Sequence, residues 1–186
     1  MPQFELAQAG TEQRSEGSAD NFREQIIALL PRLSAFAHCL SGNAEQADDL
    51  VQEACARALA EKDQWRPGTH LSSWMFRIAQ NLWFDRQRVK KFRSEPLDIE
   101  VVDHLVGCDG SAAAESRRLD MLRALGQLSP ERRVLIAIVS VCGFSYTEAA
   151  EILRLPVGTV MRRLARGRLA LYDAFNAATA SKRTRH

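Results

Sequence analysis

The sequence predicts an all-α protein: two small helical domains joined by a flexible acidic linker, the C-terminal one a helix-turn-helix. Three observations predict it. Apolar residues recur at spacings of three and four through nearly every patterned segment, and none shows the alternation of a strand. Residues 95–116 hold six acids and no lysine or arginine, broken by Pro96, Gly107 and Gly110, which reads as a linker. Ser145 to Leu171 reads as a small helix, a tight break and a basic helix.

Bulk properties bound the function. With 186 residues and 46% hydrophobic content the chain can bury real cores. The net charge of +2 is too small to signal a nucleic-acid partner unless the charge is segregated. The longest apolar run, Val134–Val139, is far short of the ~20 residues of a membrane span. The N-terminus lacks a basic start before an apolar stretch, so no secretory signal and no membrane insertion are expected. Cys39, Cys55, Cys108 and Cys142 are far apart and form no metal-ligand spacing with the four histidines. Reduced thiols, no metal, no cofactor and a cytoplasmic location are the expectation.

In order along the chain, residues 1–20 are polar and aperiodic and are expected to form a disordered tail. A domain over 21–94 follows. Phe22, Ile26, Leu29, Leu30, Leu33, Phe36, Ala37 and Leu40 give one stripe, with Pro31 predicting a kink or restart and Gly42 an end. Asn43 with Gln46 is a predicted N-cap for a second helix. Ala47, Leu50, Val51, Ala54, Ala58 and Leu59 face inward there. Its other face carries Glu45, Asp48, Asp49, Gln52 and Glu53, either a solvated face or a surface for a basic partner. A loop from Asp63 to Leu71 contains Trp65. Ser72 or Ser73 is then expected to cap a third helix, with Trp74, Met75, Ile78 and Leu82 inside. Between Arg77 and Arg93 that helix holds six basic residues against one acid, Asp85, with Trp83, Phe84 and Phe92 interleaved. A basic helix with aromatics suits an electrostatic groove with stacking platforms for nucleic acid. Trp74 reads as core; Trp83 fits either role.

Beyond the linker a domain over 117–175 is predicted. Leu119, Leu122, Leu125 and Leu128 form one stripe, Ser129-Pro130 opens the next helix, and the apolar run up to Cys142 is its centre. Ser145 and Glu148 make a capping box, with Phe144 as a hydrophobic staple. Pro156 and Gly158 break the pattern and Thr159 is expected to cap the last helix. That helix sets Val160, Leu164 and Leu171 inward and carries Arg162, Arg163, Arg166 and Arg168 without an acid, as a helix that reads the major groove would. Residues 176–186 are expected to be a basic tail. No set of nucleophile, base and orienting group stands out, so an enzyme is not expected.

Four blocks in this order resemble the sigma factors of bacterial RNA polymerase, of the small extracytoplasmic-function type. Ala47-Asp48-Asp49-Leu50-Val51-Gln52-Glu53 is similar to conserved region 2.2. Leu71-Ser72-Ser73-Trp74-Met75-Phe76-Arg77-Ile78-Ala79-Gln80-Asn81, with Asp85 and Arg88, is similar to regions 2.3 and 2.4. Leu128 to Arg133 and Phe144 to Ala150 resemble regions 4.1 and 4.2, and Val157-Gly158-Thr159-Val160 with Arg162, Leu164 and Arg166 resembles the start of the recognition helix. The resemblance spans about Asn21–Leu171.

The resemblance implies roles. Asp48, Asp49, Gln52 and Glu53 would bind the clamp helices of the polymerase's largest subunit. Trp65, His70, Arg77, Asn81, Trp83, Asp85 and Arg88 would engage the −10 element, with the Trp65–Leu71 loop holding a flipped base. Thr159, Arg162, Arg163 and Arg166 would dock in the −35 major groove. The acidic linker would thread the active-site and RNA-exit channel of the polymerase. Core RNA polymerase, promoter DNA and an anti-sigma factor would be the partners; a decoy that only sequesters an anti-sigma factor is the alternative. The chain departs from the pattern at Arg154, where the turn often has glycine, and at Met161-Arg162, where Lys-Ser is more usual.

Overall fold

The computed structural model describes residues 5–66, 69–93 and 112–183, and these contain helices and turns only. Seven α-helices run α1 (Glu5–Ser41), α2 (Ala44–Ala60), α3 (Leu71–Arg93), α4 (Ala112–Gly126), α5 (Pro130–Ile136), α6 (Tyr146–Leu153) and α7 (Val157–Arg183). A 3₁₀ turn, Lys62–Gln64, follows α2, and a π-helical segment, Ala137–Val141, continues α5. None of these helices is long and apolar enough to cross a membrane.

Local chemistry sets most boundaries. Gly42 ends α1 at φ 66°, with its N–H on the His38 carbonyl at 3.0 Å, a left-handed closure that suits glycine. The Asn43 side chain accepts from the Gln46 N–H at 2.9 Å and starts α2, as the sequence predicts. The Gln46 side chain does not close the box. It accepts instead from Lys90 Nζ at 2.9 Å, joining α2 to α3. The capping box at α6 forms: the Ser145 hydroxyl accepts from the Glu148 N–H, and the Glu148 carboxylate accepts from the Ser145 N–H at 2.8 Å. The Ser145 hydroxyl also lies 2.7 Å from the Glu148 carboxylate, and its bond, followed by that of the Ser145 N–H, holds the Glu148 carboxyl below its usual range.

Several boundaries differ from the sequence reading. α1 begins at Glu5, so most of the predicted tail is helical backbone; residues 1–4 lie outside the described residues. Pro31 sits inside a continuous helix rather than at a restart. α3 begins at Leu71, with the Trp74 N–H on the His70 carbonyl, so neither Ser72 nor Ser73 caps it. Ser129 precedes Pro130 at the start of α5, but its side chain makes no capping bond. α7 begins at Val157, where the Pro156 carbonyl accepts from Thr159 and Val160, so Thr159 lies inside the helix. α7 also runs on to Arg183, well past the predicted fade at Phe175. Most of the acidic linker, 95–111, lies outside the described residues, and α4 takes up its end from Ala112.

The turn between α6 and α7 is the departure that matters most. Arg154 adopts φ 52°, ψ 47°, the left-handed conformation that glycine usually supplies there. A non-glycine residue pays about 1–2 kcal/mol for it. Arg154→Gly is therefore expected to stabilise the chain by about 0.5–1 kcal/mol, raising the unfolding midpoint by roughly 2 °C in calorimetry. A lower midpoint would mean that the arginine side chain contributes more than its backbone strain removes.

The two helical domains pack against each other. Buried residues of both halves form one hydrophobic cluster. Phe76 of α3 stacks on Phe36 at 5.2 Å and meets the edge of Phe144 at 4.7 Å, so Phe144 reaches across to α3 rather than acting only as a local staple. The Arg32 guanidinium lies 4.1 Å over the Phe144 ring and donates twice to the Cys142 carbonyl, at 3.1 and 2.8 Å. Arg133, only 3% exposed, donates to the carbonyls of Leu40, Gly126 and Leu128. Burial pushes its guanidinium pKa down. Cys39 and Cys142 are buried, and desolvation pushes each thiol up to about 12, so both are held as inert thiols.

Candidate nucleic-acid interface

Three surfaces emerge from this frame. The first is the outer face of α2. Asp48, Asp49, Gln52 and Glu53 are all exposed on it, while Ala47, Leu50, Ala54 and Ala58 are buried. The spacing i, i+1, i+4, i+5 makes them one patch. Glu53 is drawn to its edge by Arg86 of α3, whose Nη2 sits 2.7 Å from Oε2. Arg86 also donates to the Gln46 carbonyl at 3.2 Å. Arg86 and Lys90 thus brace α2 against α3.

The second surface is one side of α3. Arg77, Asn81, Phe84 and Arg88 follow spacings of four, three and four, so they share a face. Asn81, Asp85 and Arg88 line a shallow cleft with Phe84, with Arg57 of α2 and with Glu61 just after it. Arg88 Nη1 is 3.2 Å from Asp85 Oδ1, both well exposed; such a pair adds little stability and is easily exchanged for a ligand. Toward the N-terminus of α3, Trp65, His70 and Arg77 line a cleft of about 490 Å³ together with Arg66, Thr69 and Trp74. Trp65 packs on Phe22 at 5.4 Å, and its buried Nε1–H has no acceptor among the described residues. Glu151 and Arg154 of the other half close this cleft. Ser73 donates to Glu151 across it at 3.4 Å. Desolvation, and secondarily the Arg154 charge, hold the Arg77 guanidinium below its usual pKa.

Trp83 does not belong to this surface. It is 3% exposed, turned to the opposite side of α3, with the Arg133 guanidinium 5.9 Å from its ring. Its assignment to nucleic acid is corrected to core. Sequence spacing alone left the choice open because the group that covers it comes from the other half of the chain.

The third surface is the solvent side of α7. Val160 and Leu164 are buried, while Arg162, Arg163 and Arg166 are exposed and Thr159 is partly so. Arg163 and Arg166 also border a groove with Ser129, Glu131 and Arg132. Arg168 turns away and donates to Ser140 Oγ at 3.2 Å. Arg66, Arg57, Glu151 and Arg154 were not among the expected site residues. Arg66 could have been found beside Trp65 in the loop; Glu151 and Arg154 could not, since only tertiary packing brings them there.

Helices only among the described residues, a capped helix-turn-helix and an arginine-lined α7 define the class of helix-turn-helix DNA-binding proteins. Comparison narrows the class. Residues 26–93 match the model of Sigma-70 region 2, and residues 118–171 that of Sigma-70, region 4. The chain is 39% identical over 152 residues to the ECF RNA polymerase sigma factor EcfG of Rhodopseudomonas palustris, covering 82% of this chain and 83% of that one. It is 31% identical over 172 residues to SigW of Bacillus subtilis, covering 86% and 91%. Its fold matches the sigma factor RpoE of Bartonella quintana, solved with the anti-sigma factor NepR, at TM-score 0.67 and 31% identity, over 84% and 97% of the two chains. The chain belongs to the extracytoplasmic-function sigma factors of bacterial RNA polymerase.

Proposed function

We propose that each surface has a separate task in promoter-specific initiation. The acidic face of α2, Asp48, Asp49, Gln52 and Glu53, binds core RNA polymerase. The side of α3 bearing Arg77, Asn81, Asp85 and Arg88, with the Trp65 and His70 cleft, holds the −10 element and its melted strand. Thr159, Arg162, Arg163 and Arg166 dock in the −35 major groove. The chain does no chemistry of its own. It works in the cytoplasm and is held inactive by an anti-sigma factor, as the RpoE–NepR complex suggests for a relative that it matches along most of its length. The acids of the linker follow the polymerase's RNA path.

The observation that carries this reading is the segregation of charge. A nearly neutral chain places an acidic patch on α2 and basic faces on α3 and α7. A decoy for an anti-sigma factor needs no exposed arginine row on α7. The test is run-off transcription: purified chain added to core polymerase is expected to start transcripts at discrete promoters. Random initiation, or none, would overturn the reading.

A finer expectation concerns the polymerase patch. Asp49→Ala with Glu53→Ala should weaken binding to core polymerase by at least about tenfold, the scale of losing interface hot-spot contacts. Arg86→Ala, which breaks the Glu53 pair but leaves the acids in place, is the control. Equal losses from both changes, measured by competition for core enzyme, would assign the effect to helix bracing.

A further inference from the structure

We propose that Gly158 sets how closely the −35 duplex approaches α7, and so helps determine which element is read. The proposal rests on the reading of α7 as the −35 helix.

Three glycines in this half show what a glycine can be for. Gly143 takes φ +70°, a conformation that other residues rarely adopt. Gly167 packs against α5, where an added Cβ would lie 3.4 Å from Ile136 Cδ1. Gly158 has neither reason. Its φ is not positive, and an added Cβ would meet nothing within 4 Å. Gly158 is the second residue of α7, in its first turn, so no helix-interior position is at stake either. The fold asks for no glycine at 158, so the space it leaves is for something outside the chain.

The surroundings say what that is. Gly158, Arg162 and Arg166 are spaced four apart on one exposed line of α7. A reading helix enters the major groove with its N-terminal residues nearest the bases. A position without a side chain lets the backbone come close at that end. The long arginine arms then bridge the greater distance further along. A side chain at 158 would hold the helix end away from the base pairs and detune the arginines behind it.

The test is a size series, Gly158→Ala and Gly158→Leu, both good helix formers, in the full chain bound to core RNA polymerase. The −35 element is first selected from a randomised promoter pool by the wild-type holoenzyme. Unfolding midpoints should stay level or rise. Promoter affinity should fall with size, by about tenfold for alanine and about a hundredfold for leucine, the range of one or more lost base contacts. Selection repeated with Gly158→Ala should change the element at one or two adjacent base pairs. Unchanged affinity across the series overturns the role of Gly158 and leaves the reading of α7 intact. A loss that is equal on a scrambled −35 sequence also overturns it. A wild-type holoenzyme that enriches no −35 element overturns the underlying reading of α7 together with this one.

Discussion

Arg133→Ala lowers the unfolding midpoint by roughly 10 °C, the expected result of a loss of about 3–5 kcal/mol in a chain of this size. The reason is accounting of buried groups. The Arg133 guanidinium donates at 2.7 Å to the Leu40 carbonyl and at 2.7 Å to that of Gly126. The Leu40 carbonyl ends α1, and the Gly126 carbonyl ends α4. Both are helix-terminal acceptors with no intrahelical donor. Truncation leaves them dry and unpaired, and removes the cation that covers Trp83. Arg133→Met separates the causes: it keeps much of the volume and loses the donors. Calorimetry on both variants decides. A drop below about 2 °C for alanine would mean that water replaces the guanidinium without cost.

Arg162→Ala combined with Arg166→Ala abolishes use of the −35 element, reducing promoter affinity by about 1–3 kcal/mol per lost base contact. Neither arginine has an ion pair among the described residues, and both are exposed, so the fold should not notice. The unfolding midpoint is expected to move by less than about 1 °C. Arg168→Ala, whose guanidinium is turned to Ser140, is the internal comparison and should leave promoter choice unchanged. Unaltered transcription from the double variant at a cognate promoter would remove α7 from the −35 assignment.

What was legible in the sequence follows from where each signal resides. Helix existence was readable because the buried stripes, such as Leu33, Phe36 and Leu40, are local patterns. The caps at Asn43 and Ser145 were readable for the same reason: donor and acceptor lie three residues apart. The start of α1 and the end of α7 were not, since their segments lack an apolar stripe. The site followed the same rule. The acidic patch and the arginine row are contiguous on single helices. Trp83 and the cleft wall at Arg154 depend on residues distant in sequence, so no local pattern announces them. The contact between Phe76 and Phe144 was hidden likewise, because the two residues belong to different domains.

That shared core has a mechanical consequence. The −35 and −10 elements are centred about 25 base pairs apart, which at 3.4 Å per step is about 85 Å of duplex. With Phe144 seated 4.7 Å from Phe76, the two readers sit on one compact body. On the proposed roles of α3 and α7, spanning a promoter would require the body to come apart at that seam. Part of the free energy of joining the polymerase would then go into opening. If the seam is worth about 3 kcal/mol, the apparent affinity for the enzyme falls by roughly 150-fold relative to a chain already open. The seam would thus raise the concentration of free polymerase at which half of the chain is open, without changing the shape of the binding curve.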